Sequence, residues 1–83
     1  MSPSEVLKES VTIYLEKKLL AVESELFRLG KKYGVKDIFE LDKKIKEGVF
    51  AEKDTFEDYF YFDNLEAERQ RLKALLKQVD VQT

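Results

Sequence analysis

Apolar residues recur through the early part of the chain at alternating steps of four and three. Leu15, Leu19, Val22, Leu26, Leu29 and Tyr33 form this series, which places them in one heptad stripe on a helix. Leu7 and Val11 prolong the stripe upstream by four-residue steps. A second row, Val6, Ile13, Leu20 and Phe27, repeats every seven residues and lies about 100° around the helix from the Leu19 and Leu26 positions. One stripe needs one partner helix. Two rows predict a helix with two neighbours, as in a hairpin that also dimerises.

The polar punctuation sets the ends. Ser2-Pro3-Ser4-Glu5 reads as a capped start, with Pro at the first helical position and Glu5 where a capping-box acid reaches back. Gly34 after Tyr33 reads as a left-handed stop, with Lys31 and Lys32 in the last turn and Gly30 a tolerated weak point. The pattern predicts one helix over residues 3–33, roughly 45 Å long at 1.5 Å per residue. A second, over 38–47, starts at the Asp37–Glu40 capping pattern and stops at Gly48, with Ile38, Leu41 and Ile45 on one face. A third, over 55–79 with Asp54 or Thr55 as cap, carries Phe62, Leu65, Leu72, Leu76 and Val79 in its own heptad seam, and Arg69 takes one slot of that seam. Residues 80–83 read as a fraying tail. The fold class is therefore all-α: a single domain over 1–83, a long coiled-coil-like hairpin with a short corner helix, dimerising into a helical bundle. Leu15, Leu19, Val22, Leu26 and Leu29 are the expected dimer interface.

Length and composition explain why association is expected. With 83 residues the core is small, and with no Cys and no His neither disulfides nor thiolate and imidazole zinc sites can reinforce it. The same absences remove cysteine nucleophiles, Ser–His triads and the commonest general base. The expectation is a non-enzymatic protein with no cofactor, no metal and no catalytic residue. Net charge is −2, with 15 basic and 17 acidic residues interspersed, which lacks the broad basic footprint of a nucleic-acid binder. The Lys17-Lys18, Lys31-Lys32 and Lys43-Lys44-Lys46 runs read as solvated faces. No apolar run approaches the roughly 20 residues of a membrane span, and Met1–Glu5 lacks the regions of a signal peptide. A cytoplasmic location is expected. High Lys and Glu with one Asn, three Gln and no Trp lean toward a thermophilic source.

One segment stands out. Glu52–Glu68 holds Phe56, Tyr59, Phe60, Tyr61 and Phe62, five of the ten aromatics, and seven acids against Lys53 alone. Consecutive helical residues step by about 100°, so these rings cannot all share one seam. Either they fill a dimer core where helices converge, or some face a basic, partly apolar partner, the rings supplying buried area and the acids steering. Asp54, Glu57 and Asp58 also invite a metal or acid–base reading, but acids at a helix start follow from the dipole alone. Arg69 in the seam reads more readily as a register-setting residue than as an anchor for a partner carboxylate.

Two resemblances bear on function. Residues 10–48, with Ser10-Val11-Thr12-Ile13-Tyr14-Leu15 before a helix, the Tyr33-Gly34-Val35 turn and a second helix, resemble the ribbon-helix-helix DNA-binding pattern. That resemblance implies a paired strand whose outward Thr12 and Tyr14 read the major groove. Glu9 and Glu16 flank that stretch, and no Lys or Arg stands within it. Over most of the chain, VTIYLEKKL and RLGKKYGV, then FELDKKIKEG, then DTFEDYFYFDNLEAE resemble small antitoxin-like proteins of archaea and thermophilic bacteria, encoded beside a compact ribonuclease-type toxin. This resemblance implies a toxin–antitoxin system in which the acidic-aromatic part covers the toxin's basic RNA-binding surface. By motif position the partner-binding residues would be Phe56, Asp58, Tyr59, Phe60, Phe62 and Asp63. A basic DNA-reading arm, common in antitoxins, is missing; the alternatives are a ribbon-helix-helix-type DNA-binding regulator and a self-associating helical structural subunit with no separate partner.

Overall fold

The computed structural model describes residues 2–81, and the fold is an all-α helical hairpin. Three helices follow in order: α1, Pro3–Tyr33; α2, Ile38–Lys46; and α3, Glu52–Val81. Among the described residues there is no strand. Residues 10–15 lie inside α1, so the paired ribbon of a ribbon-helix-helix protein is not formed there.

The caps follow the local chemistry. Ser2 accepts from the Glu5 backbone N–H at 3.3 Å and its own N–H donates to Glu5 at 3.4 Å, closing the capping box. Asp37 accepts from the Glu40 N–H at 2.9 Å, while the Glu40 carboxylate takes the Lys36 N–H at 2.8 Å. Gly34 turns left-handed at φ 66°, and the Val35 N–H donates to the Gly30 carbonyl at 2.9 Å. This return brings the chain so close that a Cβ on Gly30 would stand 2.7 Å from the Val35 carbonyl oxygen. Gly30 is thus required by the turn, beyond being tolerated in a helix.

The start of α3 differs from expectation. It begins at Glu52, and Thr55 is buried within its first turn, its hydroxyl donating to the Ala51 carbonyl at 2.9 Å. Glu52 and Asp54 both fall in that turn, where the helix dipole favours acids. Neither Asp54 nor Thr55 is the cap. At the far end α3 continues through Asp80 to Val81, where fraying was expected; Gln82 and Thr83 lie outside the described residues.

Cross-links between α1 and α3 show their direction. Tyr33 meets Asp58, Glu25 meets Tyr61, and Glu23 meets Arg69, so the pairing descends one helix as it climbs the other. The hairpin is antiparallel and the molecule is a rod of 57 × 18 × 17 Å. Its core sits at the α2 end, where Leu29, Tyr33, Val35, Ile38, Leu41, Phe62 and Leu65 cluster. Leu15 and Leu72 are buried further along. Upstream of Leu15, α1 has no buried residue.

This packing corrects the dimer interface. Leu15 and Leu29 are buried within one chain, and Val22 and Leu26 pack against its core, with Leu19 half-buried. The strongest heptad stripe therefore closes on the chain's own hairpin, the helix available at the lowest loop-closure cost. The second row is left outside: Val6, Ile13, Leu20 and Phe27 are 47%, 47%, 68% and 68% exposed.

Candidate interaction surface on the third helix

The acidic-aromatic segment is split by the helix into two faces. Phe62 is 1% exposed and belongs to the core. Tyr59 is half-buried against that core. Asp58 faces α1, where its Oδ2 takes both the Lys32 ammonium at 2.6 Å and the Tyr33 hydroxyl. Lys32 first, and Tyr33 second, hold the Asp58 carboxyl below its usual range against an opposing effect of burial. Burial chiefly, together with the Asp58 charge, raises the Tyr33 hydroxyl. Phe62 and Asp58 are therefore corrected from partner-binding residues to internal ties between helices: the 100° step turns them inward.

The other residues face out. Phe56 is 49% and Phe60 59% exposed, one helical turn apart, and Asp63 follows one turn later. On a helix these three span only about 60° of arc, opposite the Phe62–Leu65–Leu72 seam. Glu52 and Glu57 are exposed beside them, and Lys53 is the local base. Phe60 meets Tyr59 edge to face with centroids 5.8 Å apart, which fixes the outer ring on an inner one. The result is a shallow ridge of two rings edged by carboxylates, mounted on a rigid helix.

Tyr61, outside the expected set, lies on the flank. Its hydroxyl donates to Glu25 at 3.0 Å, and Glu25 is also held by Arg28 at 3.0 Å. Arg28 first and Tyr61 second lower the Glu25 carboxyl. Arg69 pairs with Glu23 of α1 at 3.7 Å, a cross-helix contact in keeping with a register role.

Among the described residues no three acids gather where a metal ion could be held; Asp54 and Glu57 are exposed and Asp58 is engaged by Lys32. A groove of about 530 Å³ runs between the helices beside Leu26, Gly30 and Val35, with Glu66 and Arg69 on its walls. Burial, then the neighbouring Asp37 charge, raises the Glu66 carboxyl, and the Ile38 backbone partly offsets this. No buried side-chain polar atom among the described residues lacks a partner. No helix among the described residues is long and apolar enough to cross a membrane.

No curated protein and no solved structure matches the chain. A family match runs over residues 1–83, and the chain belongs to the Uncharacterized protein MJ0235 family.

Proposed function

We propose that this protein is a non-enzymatic, cytoplasmic interaction module whose α3 outer face takes a basic protein surface. One observation carries the proposal: Phe56 and Phe60 stand exposed on successive turns of α3, with Glu52, Glu57 and Asp63 beside them. Aromatic anchors ringed by charge are what a partner with a shallow apolar pocket and a basic rim would bind. The rings would supply most of the affinity, and the acids would set encounter rate and selectivity. The absence of Cys and His agrees with a role that needs no nucleophile or imidazole base.

The resemblance to antitoxin-like proteins gives the partner a form, a ribonuclease-type toxin whose RNA-binding surface the module occludes. The mechanism is steric and electrostatic: the acidic ridge sits where the RNA backbone would. The module is further proposed to work as a dimer, since a two-layer hairpin of this length gains stability by association. The test is to co-express the chain with the products of its adjacent genes and assay RNA cleavage. The natural chain is expected to co-purify and suppress cleavage, and F56A/F60A is expected to release it. Suppression that survives the double substitution places the binding surface elsewhere.

A further inference from the structure

The row Val6–Ile13–Leu20–Phe27 lies outside the buried α1–α3 seam, and all four residues are exposed; Phe27 also edges the groove beside Glu66 and Arg69. The row sets one apolar residue every second turn along most of α1, a spacing that one partner helix can cover. The chain also exposes more surface than its size explains. Its accessible area is 6334 Å² at 9.8 kDa, whereas a folded monomer of that mass exposes about 5,200 Å². The excess, about 1,100 Å², is of the order of what one partner buries in a standard interface, about 800 Å². We infer that a second copy of this chain covers this row, the two α1 helices lying side by side and parallel. This deepens the dimer part of the proposed function and is independent of the α3 partner.

The occupant and its direction follow from charge. Three residues after Val6, Ile13 and Leu20 come Glu9, Glu16 and Glu23, with Gly30 after Phe27, and four after the four positions come Ser10, Lys17, Ser24 and Lys31. On a helix these fall on opposite flanks of the row, about 60° to one side and 40° to the other. Two parallel copies related by a two-fold axis along the helices bring the acidic flank of each against the basic flank of its mate. Glu16 then meets the mate's Lys17 twice, once on each side. Antiparallel copies in register put Glu16 against Glu16 and Lys17 against Lys17. Both residues are exposed, and among the described residues neither is engaged within the chain. The row is thus self-complementary in one direction and self-repelling in the other. The assembly is a four-helix layer with the α1 pair inside and the α3 helices outside, which leaves Phe56 and Phe60 free for a different partner.

The chain has no Cys, so single cysteines report proximity without ambiguity. Sedimentation equilibrium of the natural chain, with mild oxidation of Leu20→Cys and of Ala74→Cys on the outer face of α3, tests the inference. The expected result is a dimer in which Leu20→Cys cross-links nearly completely and Ala74→Cys does not. Leu20→Glu is expected to keep its helical circular dichroism and raise the dimer dissociation constant roughly a hundredfold or more. Glu16→Lys is expected to weaken the dimer and Glu16→Lys with Lys17→Glu to restore it, whereas an antiparallel pair is indifferent to all three charge patterns. A natural chain that stays monomeric overturns the dimer altogether. A dimer that survives Leu20→Glu, or cross-links no better at Leu20 than at Ala74, retains the dimer and overturns this interface.

Discussion

Tyr33, the last residue of α1, donates its hydroxyl to the same Asp58 oxygen that Lys32 grips at 2.6 Å. Two neighbouring residues at the end of one long helix thus clamp a single carboxylate on the other. The Lys32 ammonium is half exposed, so its share is screened by solvent. Asp58→Ala is expected to cost about 1–2 kcal/mol of unfolding free energy. Chemical denaturation reads this directly, and a loss of partner affinity with no change in stability would contradict the assignment.

Asp58 and Glu66 act on the acid limb of stability in opposite senses. Asp58 has a lowered folded pKa, from Lys32 first and Tyr33 second, so its contribution is full above the ordinary carboxylate value. It is lost as pH falls through the lower folded value. Glu66 is raised, by burial first, so it penalises folding above its raised value and ceases to do so below the ordinary one. Asp58→Asn is expected to flatten the loss of thermal midpoint in strong acid. Glu66→Gln is expected to raise the midpoint at neutral pH and to have no such effect in acid.

Gly30 separates two accounts of one residue. Intrinsic propensity alone says that Gly30→Ala stabilises a helix by about 1 kcal/mol. The 2.7 Å approach to the Val35 carbonyl oxygen says the opposite, because the obstacle is backbone and the turn at Gly34 fixes it. A lower unfolding midpoint for Gly30→Ala is expected, together with a helix content little changed.

Phe62 and Leu29 are 1% and 0% exposed. Phe62→Ala is expected to cost about 3–5 kcal/mol and Leu29→Ala about 2–5 kcal/mol. A chain of this length is stable by about 4–12 kcal/mol in total, so the Phe62 variant loses a large part of its stability. Thermal unfolding followed by far-UV circular dichroism checks both.

The helices were legible because their signals are local. The Ser2 and Asp37 caps, the Tyr33-Gly34 stop and the heptad steps depend only on neighbouring residues, and each is found where its chemistry puts it. The start of α3 was not, since Thr55 looks like a cap in sequence but its hydroxyl turns back to Ala51. The choice of partner for each face was the harder question. Periodicity shows that Leu15–Leu29 is a seam, yet it does not say whether the facing helix belongs to the same chain. The hairpin answers this, and Leu29 is sealed inside. The aromatic segment was partly legible: the 100° step foretold that its rings would divide and the heptad already put Phe62 in the α3 seam, while the placement of α1 on that seam buries Phe62 and leaves Phe56 and Phe60 out.

The central claim is that the Phe56–Phe60 ridge is a binding surface for a basic protein. Calorimetric titration of the natural chain and of F56A/F60A against the basic protein that co-purifies with the natural chain tests it most directly. Both rings are half exposed, so the double substitution is expected to leave helix content unchanged and shift stability by about 0.5 kcal/mol or less for each position. Affinity is expected to fall by roughly tenfold or more for each ring, and binding by the natural chain to weaken as salt rises. No binding by the natural chain, or equal binding by the two, contradicts the claim.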